Sequence, residues 1–219
     1  LALCYIRGEG VSENYEAAAE WLIKAAEQGH ARAQSLLGDC YTNGAGVRMD
    51  VAEAVRWYQE GAHQGDAQAQ CSLGKCYYHG SGLSQDYIEA VKWFRLAAER
   101  GIAEAQAYLG ACYAHGTGVS QDDDATLHWC LLAANKGHPL AQHEVALCYD
   151  YGRGVKVDHV KAAYWYTKAA ENGVYISQHN LAHSYYGGEG VNQSYEEAVR
   201  WFTKAAENGY AESQYMLGL

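Results

Sequence analysis

Six tryptophans constrain this chain more than any other feature of it. Trp21, Trp57, Trp93, Trp129, Trp165 and Trp201 are all the tryptophans in 219 residues, and they stand 36 residues apart without an insertion or deletion. A fixed period of that size marks a stack of supersecondary units, each burying a face on the next. The expected fold is all-α, an α/α solenoid of 36-residue two-helix repeats. One domain spans residues 1–219, with about six repeats. The chain opens mid-repeat at Leu1-Ala2-Leu3-Cys4-Tyr5 and stops mid-repeat at Leu219, so both terminal units read as partial and cut from a longer array. The lack of a signal peptide therefore carries no information.

The second helix of each unit holds the tryptophan. Apolar side chains recur around it at helical spacing, as in Val51, Ala54, Val55, Tyr58 and Ala62. The stripe is wide enough to pack between the first helices on both sides. Seven residues before each tryptophan come Asn14, Asp50, Asp86, Asp122, Asp158 and Ser194, all residues that cap a helix N-terminus. Glu53, Glu89 and Glu197 follow three residues later, which predicts reciprocal capping boxes. Eight residues after each tryptophan come Gly29, Gly65, Gly101, Gly137, Gly173 and Gly209, which predict a left-handed stop.

The first helix carries a glutamine in all six copies, a glycine suited to close helix approach (Gly38, Gly74), and a tyrosine (Tyr5, Tyr41, Tyr77, Tyr113, Tyr149, Tyr185). Pro139, the single proline, falls at a helix's first position. Between helices runs Gly-x-Gly-Val or Gly-x-Gly-Leu, as in Gly44 to Val47 and Gly80 to Leu83. A phosphate-cradling loop follows a strand. This one follows a helix and recurs six times, so it reads as a helix cap with an anchored turn, and no cofactor is expected.

The stretch Leu73-Gly74 through Tyr77, Gly80-x-Gly82-Leu83, Asp86-Tyr87, Ala90, Trp93-Phe94, Ala97-Ala98, Gly101 and Ala105-Gln106 resembles the Sel-like repeat family, a branch of the tetratricopeptide-like helical repeats. The resemblance covers essentially the whole chain. It implies a right-handed superhelix whose first helices line a concave groove, and a non-enzymatic adaptor or scaffold that holds proteins or peptides. Cysteine-rich relatives carry a disulfide between the end of a second helix and the start of the next first helix. The matching positions here, Ala62 with Ala69 and Ala98 with Ala105, are alanines. That argues against a disulfide-stapled secreted member and its penicillin-related activity.

The net charge of −10 argues against nucleic acid or an anionic membrane surface as partner. No apolar run approaches the length of a membrane span. Cys4, Cys40, Cys76, Cys112 and Cys148 share one register whose sixth copy is Ser184, a slot for a small packed side chain, and this favours a reducing compartment. His128 and Cys130 lie two apart on a helix and point away from each other, so they form no nucleophile pair. Glu53 with Arg56, Glu89 with Lys92 and Glu197 with Arg200 read as solvated pairs, and Asp122 to Asp124 as a cap and first turn.

In the related repeats the groove is lined by positions 11, 14, 18, 21 and 22 after the tryptophan. Here those positions vary most, and five of the ten histidines fall on them. The first copies are charged and polar, with Arg32, Ser35, Asp39, Thr42 and Asn43, followed by Gln68, Cys71, Lys75, Tyr78 and His79. The third includes Ala107 and His115, and the last two supply Leu140, His143, Leu147, Asp150 and Tyr151, then Ile176, His179, His183, Tyr186 and Gly187. The leading expectation is a partner-binding groove running mainly through residues 140 to 187. His143, His179 and His183 share a face across two neighbouring helices, with Asp150 nearby. The competing expectation is therefore a metal-binding or hydrolytic protein. A plain structural spacer stays open as a third. The apolar residues Leu1, Leu3 and Tyr5 at one end, and Tyr215, Met216 and Leu217 at the other, add an expectation of end-to-end self-association.

Overall fold

The structure is a computed structural model that describes residues 2–218. Those residues form helices joined by turns, with no strand among them. They divide into two compact units, one up to Ala105 and the other from Gln106 on. The first unit holds α1 (Ala2–Arg7), α2 (Tyr15–Glu27), α3 (Ala31–Asn43), α4 (Val51–His63), α5 (Ala67–His79) and α6 (Tyr87–Glu99), and α7 (Ala103–His115) begins in it. The second holds the rest of α7, then α8 (Asp123–Asn135), α9 (Pro139–Tyr151), α10 (His159–Glu171), α11 (Tyr175–Gly187), α12 (Tyr195–Glu207) and α13 (Ala211–Gly218). Within the first unit α4 packs on both α3 and α5, and within the second α10 packs on both α9 and α11. Second helices are thus sandwiched, as the width of their apolar stripe requires.

All six cap residues accept a hydrogen bond from a first-turn amide, at Asn14, Asp50, Asp86, Asp122, Asp158 and Ser194. The glycines eight after each tryptophan adopt φ between 83° and 87° and stop the helix. The capping boxes need correction. The amide of each cap residue donates instead to the carbonyl of the conserved-register tyrosine nine residues earlier, at 2.9–3.1 Å in all six copies, from Asn14 to Tyr5 through Ser194 to Tyr185. Glu53, Glu89 and Glu197 turn outward to Arg56, Lys92 and Arg200. The amide that a box would satisfy is already taken, so the carboxylates have nothing to cap.

The turns are anchored from outside. A methyl carbon built on Gly82 would fall 2.8 Å from the carbonyl oxygen of Val51, and one on Gly46, Gly154 or Gly190 would overlap the carbonyl of Tyr15, Asp123 or His159. At these four turns the second glycine is therefore required by the first residue of the preceding second helix. The first-helix glutamine ties the other end: Gln34, Gln70, Gln142, Gln178 and Gln214 donate to the carbonyls of Ala26, Ala62, Ala134, Ala170 and Ala206 at 3.1–3.3 Å.

The tryptophans themselves are less central than their regularity implies. Trp57 and Trp201 are buried, whereas Trp21 is 44% exposed beneath the Lys24 ammonium. The residue after each tryptophan takes the middle of the core, and Tyr58 and Phe94 are buried against Gly38 and Gly74. In the second unit Ala146 and Ala182 replace those glycines and are fully buried with Tyr166 and Phe202. All seven cysteines are free thiols, six of them buried, and burial pushes Cys76, Cys112 and Cys148 up to about 11.

Candidate partner-binding face

In the second unit, the positions expected to line a groove separate into two kinds. Leu140, Tyr151 and Tyr186 stand well exposed at 62%, 69% and 52%, from α9 and α11. His183 is also exposed. Tyr186 meets Tyr195 edge to face at 5.4 Å. Leu147 is half-buried against the core cluster of Tyr166 and Leu181, and Ile176 is half-buried. The fourteenth position after the tryptophan is a packing slot rather than open surface. Ser35 and Cys71 are fully buried there and Ala107 nearly so.

His143 and His179 occupy that slot, and each finds a hydroxyl. His143 Nδ1 lies 2.8 Å from Ser177 Oγ, and His179 Nδ1 lies 2.8 Å from Ser213 Oγ. Each serine sits on the following first helix and is fully buried. His179 stacks edge to face on His183 at 4.6 Å and on Tyr210 at 4.9 Å. Burial pushes His143 below the usual imidazole range, and burial together with the neighbouring His183 does so for His179. Burial lowers His183 as well.

The convergence of three imidazoles expected from register does not occur. Among the described residues no group of three or more His, Cys, Asp or Glu side chains is placed to hold a metal ion. Serine partners draw two of the rings into the helix interface. Asp150 is engaged elsewhere, accepting from the Tyr166 hydroxyl at 3.0 Å and lying 2.9 Å from His159 Nδ1.

The first unit places Tyr78 half-buried against Tyr87 and Phe94, and leaves His79 exposed. His115, on α7, is exposed. Sequence reasoning passed over a cavity here of about 290 Å3, lined by Asp39, Thr42, Tyr58, Gln68, Lys75 and His79 among others. The Tyr58 hydroxyl donates to Asp39 at 2.8 Å and lies 3.0 Å from Thr42 Oγ1. Burial raises the Asp39 carboxyl above its ordinary value, against the lowering effect of Tyr58, Arg32 and Lys75. Lys75 pairs with Glu104 at 2.7 Å. A signal was available: tyrosine directly after the tryptophan occurs twice, at Tyr58 and Tyr166, and each phenol reaches an aspartate of the preceding first helix.

The Sel1 repeat model matches six segments, residues 1–30, 31–66, 67–102, 103–138, 139–174 and 176–210. The chain belongs to the Sel1 repeat family. Two solved structures share 36% of its sequence. One is c5321, a protective antigen of uropathogenic Escherichia coli with the same repeat fold, at a TM-score of 0.87 over 99% of this chain and 46% of that one. The other is a Sel1 repeat protein from Oxalobacter formigenes, at 0.80 over 93% and 82%. This chain thus spans less than half the length of the Escherichia coli antigen. An immunity protein of Pseudomonas aeruginosa, PA5087, is similar in fold alone, at 18% identity and a TM-score of 0.57 over 94% of this chain and 81% of that one. No curated protein matches the sequence. Sel1 repeats are scaffolds commonly used for protein interaction, and no described helix is long and apolar enough to cross a membrane.

Proposed function

We propose that this Sel1 repeat chain is a non-enzymatic scaffold that holds an extended peptide or protein segment on the α9–α11 face of its second unit. The observation that carries this reading is the outward display of Leu140, Tyr151 and Tyr186, large side chains left more than half exposed. Tyrosine offers wide contact area at little entropic cost, and such residues dominate binding energy in protein interfaces. His183 adds a hydrogen-bonding edge beside them, while Leu147 and Ile176 supply a partly buried apolar floor.

The test is affinity capture followed by titration calorimetry with the recovered partner, comparing the wild type with a Tyr151→Ala, Tyr186→Ala double variant. Both side chains are exposed, so the variant keeps its fold and its circular dichroism. We expect at least a tenfold loss of affinity, about 1.4 kcal/mol or more. Unchanged affinity would move the site elsewhere, and failure to recover any partner would leave the spacer role as the better description.

A further inference from the structure

The Asp39 carboxylate is a half-buried charge of which the first unit uses one oxygen. Oδ1 accepts from the Tyr58 hydroxyl at 2.8 Å, while Oδ2 receives no hydrogen bond from any described residue. The carboxylates around it have cations of their own, Asp66 at 3.7 Å from Arg32 and Glu104 at 2.7 Å from Lys75. Asp39 has no ion pair among the described residues, and Arg32 and Lys75 act on it from beyond that distance. A charge drawn out of water without a partner is costly. In the second unit the same phenol–carboxylate pair is completed: Tyr166 holds one oxygen of Asp150, and His159 Nδ1 lies 2.9 Å from the other.

The cavity that Asp39 lines holds further unused polar groups. Ser72 is only 9% exposed, and its hydroxyl makes no hydrogen bond with a described residue. The same holds for the side-chain amide of Gln68, one turn earlier on α5. Val51 and Cys76 give the cavity an apolar wall, and Lys75 lines it with its ammonium held by Glu104. At about 290 Å3 it lies at the lower end for ligand sites, the size for one side chain rather than a large cofactor.

We propose that this cavity takes a lysine side chain from a peptide or protein partner, its ammonium on Asp39 Oδ2, its aliphatic stem along Val51 and Cys76, and the partner's backbone amides on Gln68 and Ser72. Tyr58 selects lysine over arginine. A guanidinium binds a carboxylate best through both oxygens, and one is taken, whereas an ammonium is a point charge that needs only one. The site belongs to the first unit and stands whether or not the α9–α11 face binds.

Titration of the 219-residue chain with Nα-acetyl-lysine methylamide, followed by nitrogen–proton correlation NMR, tests this. Saturable shifts should appear with a dissociation constant of about 1 mM, ordinary for so small a probe. The side-chain amide of Gln68 should be among the signals that move. The norleucine analogue, which lacks the charge, and the arginine analogue should each bind at least tenfold more weakly. Pentylamine keeps the charge and the stem but lacks the amides, and should bind about threefold more weakly or worse. Asp39→Asn keeps an oxygen for the Tyr58 hydroxyl while removing the charge, and should abolish saturable binding of the lysine probe. Gln68→Ala leaves Asp39 in place and should lower the affinity to that of pentylamine. Glu89→Gln removes an exposed charge paired with Lys92 on α6, and should bind as the wild type does. The inference is overturned by a norleucine or arginine probe that binds as well as lysine, or by wild-type affinity in the Asp39→Asn or Gln68→Ala variant. Pentylamine binding as tightly as the lysine probe overturns the peptide as the source of the ammonium, and no saturable shift up to about 20 mM overturns the site itself.

Discussion

Gln70 exposes how finely single side chains are matched between repeats. In three copies the carbonyl oxygen of the first-helix glutamine accepts from the amide that ends the next second helix, Gln64 to Gln34, Asn172 to Gln142 and Asn208 to Gln178. Arg100 takes that place after Gln70 and turns to the Gly65 carbonyl, so Gln70 Oε1 is buried without a partner. A buried polar atom left unpaired costs about 1–3 kcal/mol. Arg100→Asn should therefore raise stability by about 1 kcal/mol, read as a higher urea midpoint. The histidines give a second prediction at this scale. His143, His179 and His183 all sit below the imidazole range, and the carboxylates of Glu144, Glu212 and Glu189 only partly offset this. The unfolded chain then binds more protons as pH falls through about 6.5, so stability is lost on acidification. The urea midpoint should fall between pH 7.5 and pH 5.5, and a His143→Gln, His179→Gln variant should show a smaller fall. Register alone placed these rings correctly on their helices. It failed on where they point, because Ser177 and Ser213 lie 34 residues away and no local pattern announces them.

At the scale of the helix, caps and stops were legible because each is decided by a few adjacent residues. Side-chain capping and left-handed glycines appear where the spacing put them, in every copy. The capping boxes were misread because their outcome depends on a partner in another helix, the tyrosine carbonyl that takes the cap amide first. The two readings differ measurably. Asp86→Ala removes bonds to the amides of Ile88 and Glu89 and should cost about 1 kcal/mol. Glu89→Ala removes only an exposed pair with Lys92 and should cost about 0.5 kcal/mol or less. Equal costs, measured by chemical denaturation, would restore the box. The central glycines follow the same logic of reach. Gly74 lies against Phe94, a residue 20 positions on, and the alanines at 146 and 182 are buried in one cluster with Tyr166 and Phe202, partners equally far along the chain.

At the scale of the whole chain, the repeat family was plain from period and motif, whereas the binding face was not. Repetition fixes which positions turn outward, but a ligand is recognised by the exceptions, and an exception at one position looks the same whether it binds or merely drifts. The tyrosine carbonyl that closes each cap has a consequence for how such a chain changes over generations. Because every junction uses the same pair of groups, removing one full period re-forms the junction with different residues in identical roles. Deleting residues 31–66 would bring Gly82 over Tyr15 in place of Gly46, and let His30 cap the helix that Asp66 caps now. That shortened protein should fold and melt cooperatively, while a deletion two residues shorter should not. Length in such a gene is therefore inherited in whole periods, and duplication or loss of one period is a neutral step on which binding surfaces are gained or discarded.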